Sequence, residues 1–263
     1  MSAKEGWNII SKTYQGKTRI SLDDVHYGPI SPGESELKLL GNVGGKDVLE
    51  IGCGGGQNAI VLKKWGANSV GLDVSEEQIK YARKLARREG AKVPFYVGNM
   101  EDLGLFRDEG FDIILSAFGI GYAENLSKTF EEAFRVLRKN GLFVFCDVHP
   151  IVDRGRIVRH GKRRAWKVFN YFDRRKNVWT WRLDGKVAKF RGRHRTIQDY
   201  FDSLAETGFL VERILEPEPY PIDKMKEAEK AKIPYVGDGE RSLINFDIWK
   251  RIPFTIIFKA RKP

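Results

Sequence analysis

Four glycines crowd into residues 48–59, VLEIGCGGGQNA, directly behind an apolar run. The pattern predicts a strand that enters a very tight turn and continues as a helix, with backbone N–H groups open to a ligand. The dinucleotide-binding fingerprint GxGxxG needs a glycine three positions after Gly54, and this chain has Gln57 there. The turn therefore predicts a ligand site and disfavours an oxidoreductase. That class stays open as an alternative, beside a non-catalytic nucleotide-binding domain.

From Gly45 onward, strand-like runs alternate with helix-like patterns. Alternation of this kind predicts parallel strands joined by right-handed crossovers, with helices on both faces of the sheet. The pattern resumes after a break with a helix that has Thr196 as its N-cap and ends at Gly208. The strand-like runs FLVERIL and FTIIFKA follow this helix. We therefore predict an α/β fold with a doubly wound, mostly parallel sheet.

Residues 151–195 interrupt the alternation, and the stretch from Lys167 to Phe190 predicts a meander of antiparallel strands. Asp184-Gly185 predicts a two-residue hairpin turn, which sets Trp179 opposite Phe190 on one aromatic face. Such an insertion between sheet elements predicts a lid that selects the substrate.

The net charge of +11 on the chain arises from this insertion. Residues 151–195 carry 16 Lys and Arg against 3 Asp and Glu, while the remaining residues carry 30 against 32. The positive charge is therefore a local feature, which indicates an anionic partner for one segment and not for the whole surface.

Several classes of protein are disfavoured. Cys53 and Cys146 lie in neither a CxxC nor a Cys/His ligand spacing, so we expect two small buried residues, no disulfide framework and no metal site. No apolar run approaches the ~18 residues that span a bilayer, and the N-terminus lacks the apolar core of a signal peptide. We expect a soluble, cytoplasmic protein without integral membrane association.

The run EIGCGGG at residues 50–56 resembles the first motif of the class I S-adenosylmethionine-dependent methyltransferases. Asp73, at the end of the next strand-like run, matches the acidic residue of that family, and NMEDL at 99–103 is similar to its GD(A/M)xDL motif with Asn in place of the usual Asp. The runs FDIILSAF and FRVLRKNGLFVF resemble its fourth strand and the turn before its fifth. The resemblance implies a seven-stranded, Rossmann-like sheet whose last strand is antiparallel, with an antiparallel β insertion after strand 5.

The resemblance also implies S-adenosylmethionine as the cofactor and S-adenosylhomocysteine as the product. In this family the glycine turn accommodates the amino-acid end of the cofactor, the acidic residue accepts two ribose hydroxyls, and the third motif holds the adenine. The cofactor-binding residues implied here are Glu50, Gly52, Cys53, Gly54, Gly56, Gln57, Asp73, Val74, Asn99, Met100, Glu101, Ser116, Ala117 and Tyr14.

Three stretches resemble the small-molecule methyltransferases of ubiquinone and menaquinone biosynthesis: WNIISKTY with DDVHYGP, CDVHP at 146–150, and HRTIQDYFDSLAETGF before EPEP. This resemblance implies a helical lid at 1–40, a cofactor-binding core at 41–150 and 196–263, and a substrate lid at 151–195. The lid residues implied are Trp7, His26, Tyr27, Trp179, Trp181 and His194.

His149 is the candidate general base, because it follows a strand at the edge where doubly wound sheets bind ligands and because imidazole titrates near neutrality. His149-Pro150 could instead only turn the chain out of the sheet. His194, between two arginines, could contact an anionic acceptor, but we expect it to face solvent. Trp179 and Trp181 are expected in the core of the hairpin more than against a substrate.

The acceptor that we expect is a small molecule, anionic or aromatic. Residues 116–119 read SAFG, where enzymes that methylate exocyclic amino groups of bases carry (N/D)PP(Y/F). RNA is the alternative acceptor, because the cations of the insertion alternate with aromatic side chains that could pair with phosphates and stack on bases. The sequence indicates neither the acceptor atom nor the oligomeric state.

Overall fold

The computed structural model describes residues 2–18, 20–161, 163–220, 249 and 251–263. In chain order the elements of this part are α1 (Ala3–Thr18), α2 (Glu34–Leu37), β1 (Asp47–Ile51), α3 (Gln57–Lys64), β2 (Asn68–Asp73), α4 (Glu76–Arg88), β3 (Phe95–Val97), β4 (Phe111–Ala117), a 3₁₀ helix (Ile120–Tyr122), α5 (Leu126–Val136), β5 (Leu137–Val148), α6 (Pro150–Asp153), β6 (Gly155–His160), β7 (Arg163–Val168), β8 (Lys176–Leu183), β9 (Lys186–Arg193), α7 (Ile197–Thr207), β10 (Leu210–Leu215) and β11 (Thr255–Arg261).

Among the described residues, seven strands form one sheet in the order β10-β11-β5-β4-β1-β2-β3. The first five strands of the chain run parallel, whereas β11 is antiparallel to both of its neighbours, β5 and β10. The chain changes direction across the sheet between β1 and β4, and sheets of this type bind ligands at the carboxyl ends of the strands that flank such a point. The predicted fold class is confirmed.

Both faces of the sheet are buried. Phe143 and Phe145 of β5 pack with Phe130 of α5 on one face, while Val144, between them in the chain, packs on the other. The alternation follows from the two-residue period of a strand, and helices on both sides exclude water from it. Cys53 and Cys146 are buried free thiols, as expected.

Local sequence signals set the ends of the helices beside the site. Ser75 caps α4, because its hydroxyl oxygen accepts a hydrogen bond from the N–H of Gln78 at 3.2 Å. Thr196 and Asp199 form the predicted capping box of α7, and Gly208 ends that helix with a left-handed φ of 102°. These ends place Asp73 just before α4.

The hairpin of β8 and β9 has the predicted register, with Trp179 opposite Phe190. Asp184 and Gly185 both have positive φ, 46° and 76°, as a type I′ turn requires.

A second hairpin, β6–β7, was not predicted, since the meander was expected to begin only at Lys167. Its sequence, GRIVRHGKRRAWKV, lacks a clear alternation of apolar and polar residues. Trp166 ties it to the chain before it: the indole N–H donates to the carbonyl of Ile151 at 2.9 Å, and the ring covers Gly155 so closely that a Cβ there would clash.

Helix α1 packs on the inner face of the hairpin β8–β9. Phe190 is fully buried against Ile10 and Gly6, where a Cβ would lie 2.6 Å from the ring. Since α1 also contacts α4, and β9 contacts the 3₁₀ helix after β4, both elements lie beside the carboxyl end of the sheet. The division of the chain at 1–40, 41–150 with 196–263, and 151–195 stays a prediction, and 221–248 and 250 lie outside the described residues.

Candidate functional site

Three glycines with left-handed backbone shape the turn from β1 to α3. Gly52, Gly54 and Gly56 have φ values of 68°, 51° and 77°, which residues with a Cβ rarely adopt. At Gly52 a Cβ would also lie 3.0 Å from the Cα of Gly119. Conformation, and at Gly52 also packing, therefore favour glycine at these three positions, which leaves their backbone bare.

The carboxylate of Asp73 lies at the turn. Its Oδ2 accepts a hydrogen bond from the N–H of Gly54 at 2.8 Å, and its Oδ1 accepts one from the N–H of Ser75 at 2.9 Å. Burial raises the pKa of Asp73 to about 6, although both hydrogen bonds lower it. A carboxylate offers about four lone-pair sites, so two remain for the hydroxyl groups of a ligand.

Glu50 lies below the turn, where its Oε2 accepts a hydrogen bond from the N–H of Ala59 at 3.0 Å. Burial raises the pKa of Glu50 to about 8, and the charge of Asp73 adds to the rise. Glu50 therefore keeps its proton at neutral pH, which limits the negative charge under the site.

A cavity of about 650 Å³ opens beside the turn, within the 300–1,000 Å³ range typical of small-molecule sites. Its wall is formed on one side by the ends of β1, β2 and β4, and on the other by α1, the hairpin β8–β9 and the start of α7. The residues on the first side include Glu50, Gly52, Cys53, Gly54, Gln57, Asp73, Val74, Met100 and Ala117.

Gln15 of α1 covers the glycine turn and was not identified from the sequence. Its Oε1 accepts a hydrogen bond from the side chain of Gln57 at 2.6 Å, and its Nε2 donates one to Gln78 at 2.9 Å. A Cβ on Gly55 would lie 2.5 Å from the same side chain. A glutamine within an amphipathic helix carries no motif, so only the fold reveals this contact.

Aromatic rings line the second side of the cavity. Trp7 packs edge-on against Tyr14 and Trp181 at centroid distances of 4.9 and 5.5 Å, and Tyr14 stacks on Trp181 at 5.7 Å. Trp179 stacks on Phe190 at 5.7 Å. All of these rings except Phe190 lie on the cavity wall, and His26 lies there too. The tryptophans of the hairpin thus belong both to its core and to the cavity.

The far end of the cavity is polar. Asp147, near the end of β5, accepts a hydrogen bond from the hydroxyl of Tyr200 at 2.8 Å and another from the N–H of Val148 at 2.8 Å. Burial raises the pKa of Asp147 to about 6, against the lowering effect of Tyr200. Gly121 makes room for the carboxylate, since a Cβ there would lie 2.7 Å from Oδ2.

His194 was expected to face solvent, and that prediction is wrong. Only 3% of the residue is exposed, and its Nδ1 lies 2.6 Å from Oδ2 of Asp153. The ring packs edge-on against Tyr171 at 5.4 Å, where β9 ends and the chain turns into α7. The flanking Arg193 and Arg195 suggested that His194 lies on an exposed strand. The chain instead turns here from β9 towards α7, and the ring of His194 points inward.

Comparison with known proteins agrees with the arrangement of strands and motifs. A family model described as a methyltransferase domain matches residues 49–145. An uncharacterized methyltransferase of Bacillus subtilis, YbaJ, is 39% identical over 108 residues, which cover 41% of this chain and 42% of that protein. Residues 49–145 therefore carry a methyltransferase domain.

Two further likenesses extend beyond the matched domain. The uncharacterized protein MJ1252 of Methanocaldococcus jannaschii is 34% identical over 168 residues, which cover 64% of this chain and 62% of that protein. The crystal structure of a putative S-adenosylmethionine-dependent methyltransferase from Listeria monocytogenes aligns with a TM-score of 0.64 and 23% identity, covering 86% of this chain and 95% of the other. That structure supports the fold, and the matches to YbaJ and MJ1252 span less than two thirds of those relatives.

The site fits the adenosyl cofactor of this methyltransferase family. The turn offers bare backbone, Asp73 keeps spare lone pairs, and the apolar side chains of Val74 and Met100 line the adjoining wall. Because no side chain of the described residues fills the space between these groups, the cofactor predicted from the sequence suits this half of the cavity.

Several residues that the sequence assigned to the methyltransferase site lie off the cavity wall and have other partners. The side chain of Asn99 accepts from the N–H of Glu101 at 3.0 Å, and that of Glu101 accepts from the N–H of Glu124 at 2.6 Å. Ser116 donates to the carbonyl of Ile51 at 2.8 Å, and Gly56 lies under the ring of Phe95. These residues shape the turns around the site, and their contact with cofactor stays a prediction.

Tyr27, predicted as a lid residue, is not among the residues of the cavity wall. It is fully buried in the core and donates a hydrogen bond of 2.6 Å to Glu34. The ring of Tyr27 fixes the segment DDVHYGP in the apolar core. A comparison of motifs cannot distinguish such a core residue from a lid residue.

His149 is held by protein groups on both ring nitrogens. Its Nδ1 accepts a hydrogen bond from the N–H of Ile151 at 3.1 Å, and its Nε2 lies 2.7 Å from Oε1 of Glu216. It caps the short helix α6 and is not among the residues of the cavity wall. The alternative considered for His149-Pro150, a turn out of the sheet, therefore fits the geometry better than a general base.

Two properties of the described residues bear on other classes of function. No group of three or more His, Cys, Asp or Glu in this part of the chain could hold a metal ion. No helix found there is long and apolar enough to cross a membrane.

Proposed function

We propose that this chain transfers a methyl group from S-adenosylmethionine to a small-molecule acceptor. The observation that carries the proposal is one continuous cavity of about 650 Å³, which joins the glycine turn and Asp73 to a chamber with aromatic walls and a polar end. One continuous space can bring donor and acceptor into contact, as a transfer reaction needs.

S-adenosylmethionine supplies a methyl group on a positively charged sulfur. The residues of this chain would bind and align the reactants, because transfer in line with the breaking bond depends chiefly on orientation. Gly54 and Asp73 would hold the amino-acid and ribose parts, and Met100 and Val74 would pack on the adenine. Gln15 would close the turn from the side of α1.

The acceptor chamber favours a compact molecule with an apolar or aromatic body. Trp7, Trp179 and Trp181 offer ring faces and edges, and Asp147 and Tyr200 offer polar groups at the far end. Helix α1 and the hairpin are held together by the buried Phe190, so the rings exclude water from the space between them.

The proposal is tested by incubating the protein with S-adenosylmethionine that carries a labelled methyl group, together with either a small-molecule extract or total RNA. Label in compounds that pass a small-pore filter would support the proposal. Label in RNA alone would contradict it.

RNA is the second candidate acceptor, and the outward face of the hairpin β8–β9 favours it. Lys176 and Arg193 are exposed directly opposite each other, as are Val178 and Arg191 on the same face. Like charges placed opposite each other destabilise a hairpin, so an anionic partner would relieve the repulsion. Exposed cations of this kind bind phosphate groups.

Retention of labelled RNA on a filter at low salt tests this candidate. Wild-type protein should retain RNA, and K176Q/R191Q should retain several-fold less, whereas K80Q/K84Q at exposed positions of α4 is the control that removes the same number of charges. Absence of retention at low salt would eliminate RNA as the acceptor.

A further inference from the structure

The polar end of the cavity contains a carboxylate without an ion-pair partner among the described residues. Asp147 is 93% buried and receives hydrogen bonds only from Tyr200 and Val148 in this part of the chain. A buried carboxylate with so few partners is costly, and such groups concentrate at functional sites. Neither a fold-stabilising ion pair nor a helix cap explains its position.

The groups around Asp147 fix its orientation. Arg195 donates a hydrogen bond to the carbonyl of Ala123 through one terminal guanidinium nitrogen, and its positive charge acts to lower the pKa of Asp147. The hydroxyl of Tyr200 donates a hydrogen bond of 2.8 Å to Oδ2 of Asp147, because an ionised carboxylate can only accept. The other terminal nitrogen of Arg195 is buried and has no partner in the described part of the chain.

The backbone also makes space for this carboxylate on the cavity side. Gly121, on the same wall, is the residue whose Cβ would collide with Oδ2 of Asp147. Gly192, opposite, leaves room for the ring of Trp179, since a Cβ there would lie 3.0 Å from it. Glycines at both positions keep the path between the carboxylate and the aromatic wall open.

We propose that Asp147 binds the methyl acceptor through an N–H or O–H group and takes the proton that this group loses on methylation. The inference rests on the proposed function and narrows the acceptor to amines and hydroxyl compounds. A carboxylate, which carries no proton at neutral pH, would be repelled.

The step balances in atoms and charge. The lone pair of the acceptor nitrogen or oxygen forms the new bond to the methyl carbon, and the carbon–sulfur bond breaks with its electron pair left on sulfur. The proton of the acceptor passes to the ionised Asp147, which becomes a neutral carboxylic acid and later releases the proton to water.

Tyr200 acts as a positioning residue in this scheme. Its hydroxyl holds Oδ2 of Asp147 and leaves the remaining lone pairs for the acceptor. The hydrogen bond also lowers the pKa of Asp147 against the effect of burial. Other groups that act on this carboxylate are Arg195 before α7, which lowers its pKa, and Asp153 of α6, which raises it. Cys146 precedes it on β5 as a neutral thiol whose pKa is raised well above the usual range.

The test uses S-adenosylmethionine with a deuterated methyl group, a metabolite extract, and mass spectrometry of the products. Wild type should label nitrogen or oxygen atoms, and D147N should make the same products at least ~100-fold more slowly, since a general base contributes about that much or more. D202N, on α7 and off the cavity wall, is the matched control and should match wild type. Binding of S-adenosylhomocysteine by D147N should stay within about threefold of wild type.

The pH profile separates a base from a structural carboxylate. Wild type should lose activity as pH falls through about 6, and Y200F should lose it at a higher pH because the bond that lowers the pKa of Asp147 is removed. Y200F should lower kcat by a larger factor than it raises KM. The residual activity of D147N should lack the acid limb, that is, the loss of activity as pH falls through about 6.

Three outcomes would overturn the inference: D147N within threefold of wild type, an unchanged acid limb in D147N, or label on carboxylates, carbon or sulfur. A wild-type protein that binds S-adenosylhomocysteine but labels no small molecule would instead contradict the proposed function, and the inference with it.

Discussion

The backbone nitrogen of Gly54 lies 2.8 Å from Oδ2 of Asp73, so the glycine turn after β1 and the acidic residue after β2 form one unit. The parallel pairing of β1 with β2 brings the two segments together, although they are 19 residues apart. Loss of either member should therefore disturb the site that both build.

Replacement of Asp73 with Asn should weaken binding of S-adenosylhomocysteine by about 10- to 150-fold, because hydrogen bonds to a charged group contribute about 1.5–3 kcal/mol. Isothermal titration calorimetry measures the change. D202N, which does not line the cavity, should bind as wild type does. Equal affinity of D73N and wild type would contradict the assignment of Asp73.

Replacement of Gly52 with Ala should destabilise the protein by about 1–3 kcal/mol and weaken cofactor binding, because φ is 68° and the new Cβ would lie 3.0 Å from Gly119. G16A is the control, for which we expect a change in stability of the opposite sign. Gly16 lies in α1 with nothing within 4 Å of the added Cβ, so alanine should stabilise the helix by about 0.5–1 kcal/mol. Urea unfolding distinguishes the two, and equal shifts in one direction would refute the account.

Replacement of Phe190 with Ala should cost about 3–5 kcal/mol if α1 and the hairpin fold with the core, since this ring is fully buried against α1. Limited proteolysis should then cut the insertion faster than in wild type. V178A, on the outward face and 62% exposed, should change stability by less than about 0.5 kcal/mol. An F190A protein with wild-type stability and protease resistance would mean that α1 and the hairpin β8–β9 pack differently.

The pH dependence of stability tests the burial of Glu50, whose pKa is raised from 4.5 to about 8. A raised carboxyl pKa contributes stability that is complete below about 4.5 and is lost as pH rises towards 8. The free energy of unfolding of E50Q relative to wild type should therefore rise by about 3–4 kcal/mol between pH 5 and pH 8. E77Q, an exposed control on α4, should show no such trend in thermal unfolding. A difference between E50Q and wild type that stays constant with pH would contradict the burial.

The order of strands and the hairpin register were predictable because they follow local rules. Alternating strand and helix patterns determine a parallel sheet, and Asp184-Gly185 determines the turn that sets Trp179 opposite Phe190. The hairpin β6–β7 was not predicted, because charged residues interrupt the alternation of apolar and polar residues in its strands.

The polar end of the site depends on contacts that no local pattern encodes. Asp147 and Tyr200 are hydrogen-bonded although they lie 53 residues apart in the chain, and Gln15 and Gln57 are hydrogen-bonded at a separation of 42 residues. His149 resembled a catalytic residue from its place after β5, yet its ring points to Glu216, whereas Asp147, two residues earlier, lies on the cavity wall.

Calorimetry with S-adenosylhomocysteine and, separately, NAD tests the central claim most directly. The glycine turn with Gln57 in place of the third glycine, together with Asp73, predicts one site per chain for S-adenosylhomocysteine and no measurable heat with NAD. Binding of NAD, or no binding of S-adenosylhomocysteine by the intact protein, would contradict the account.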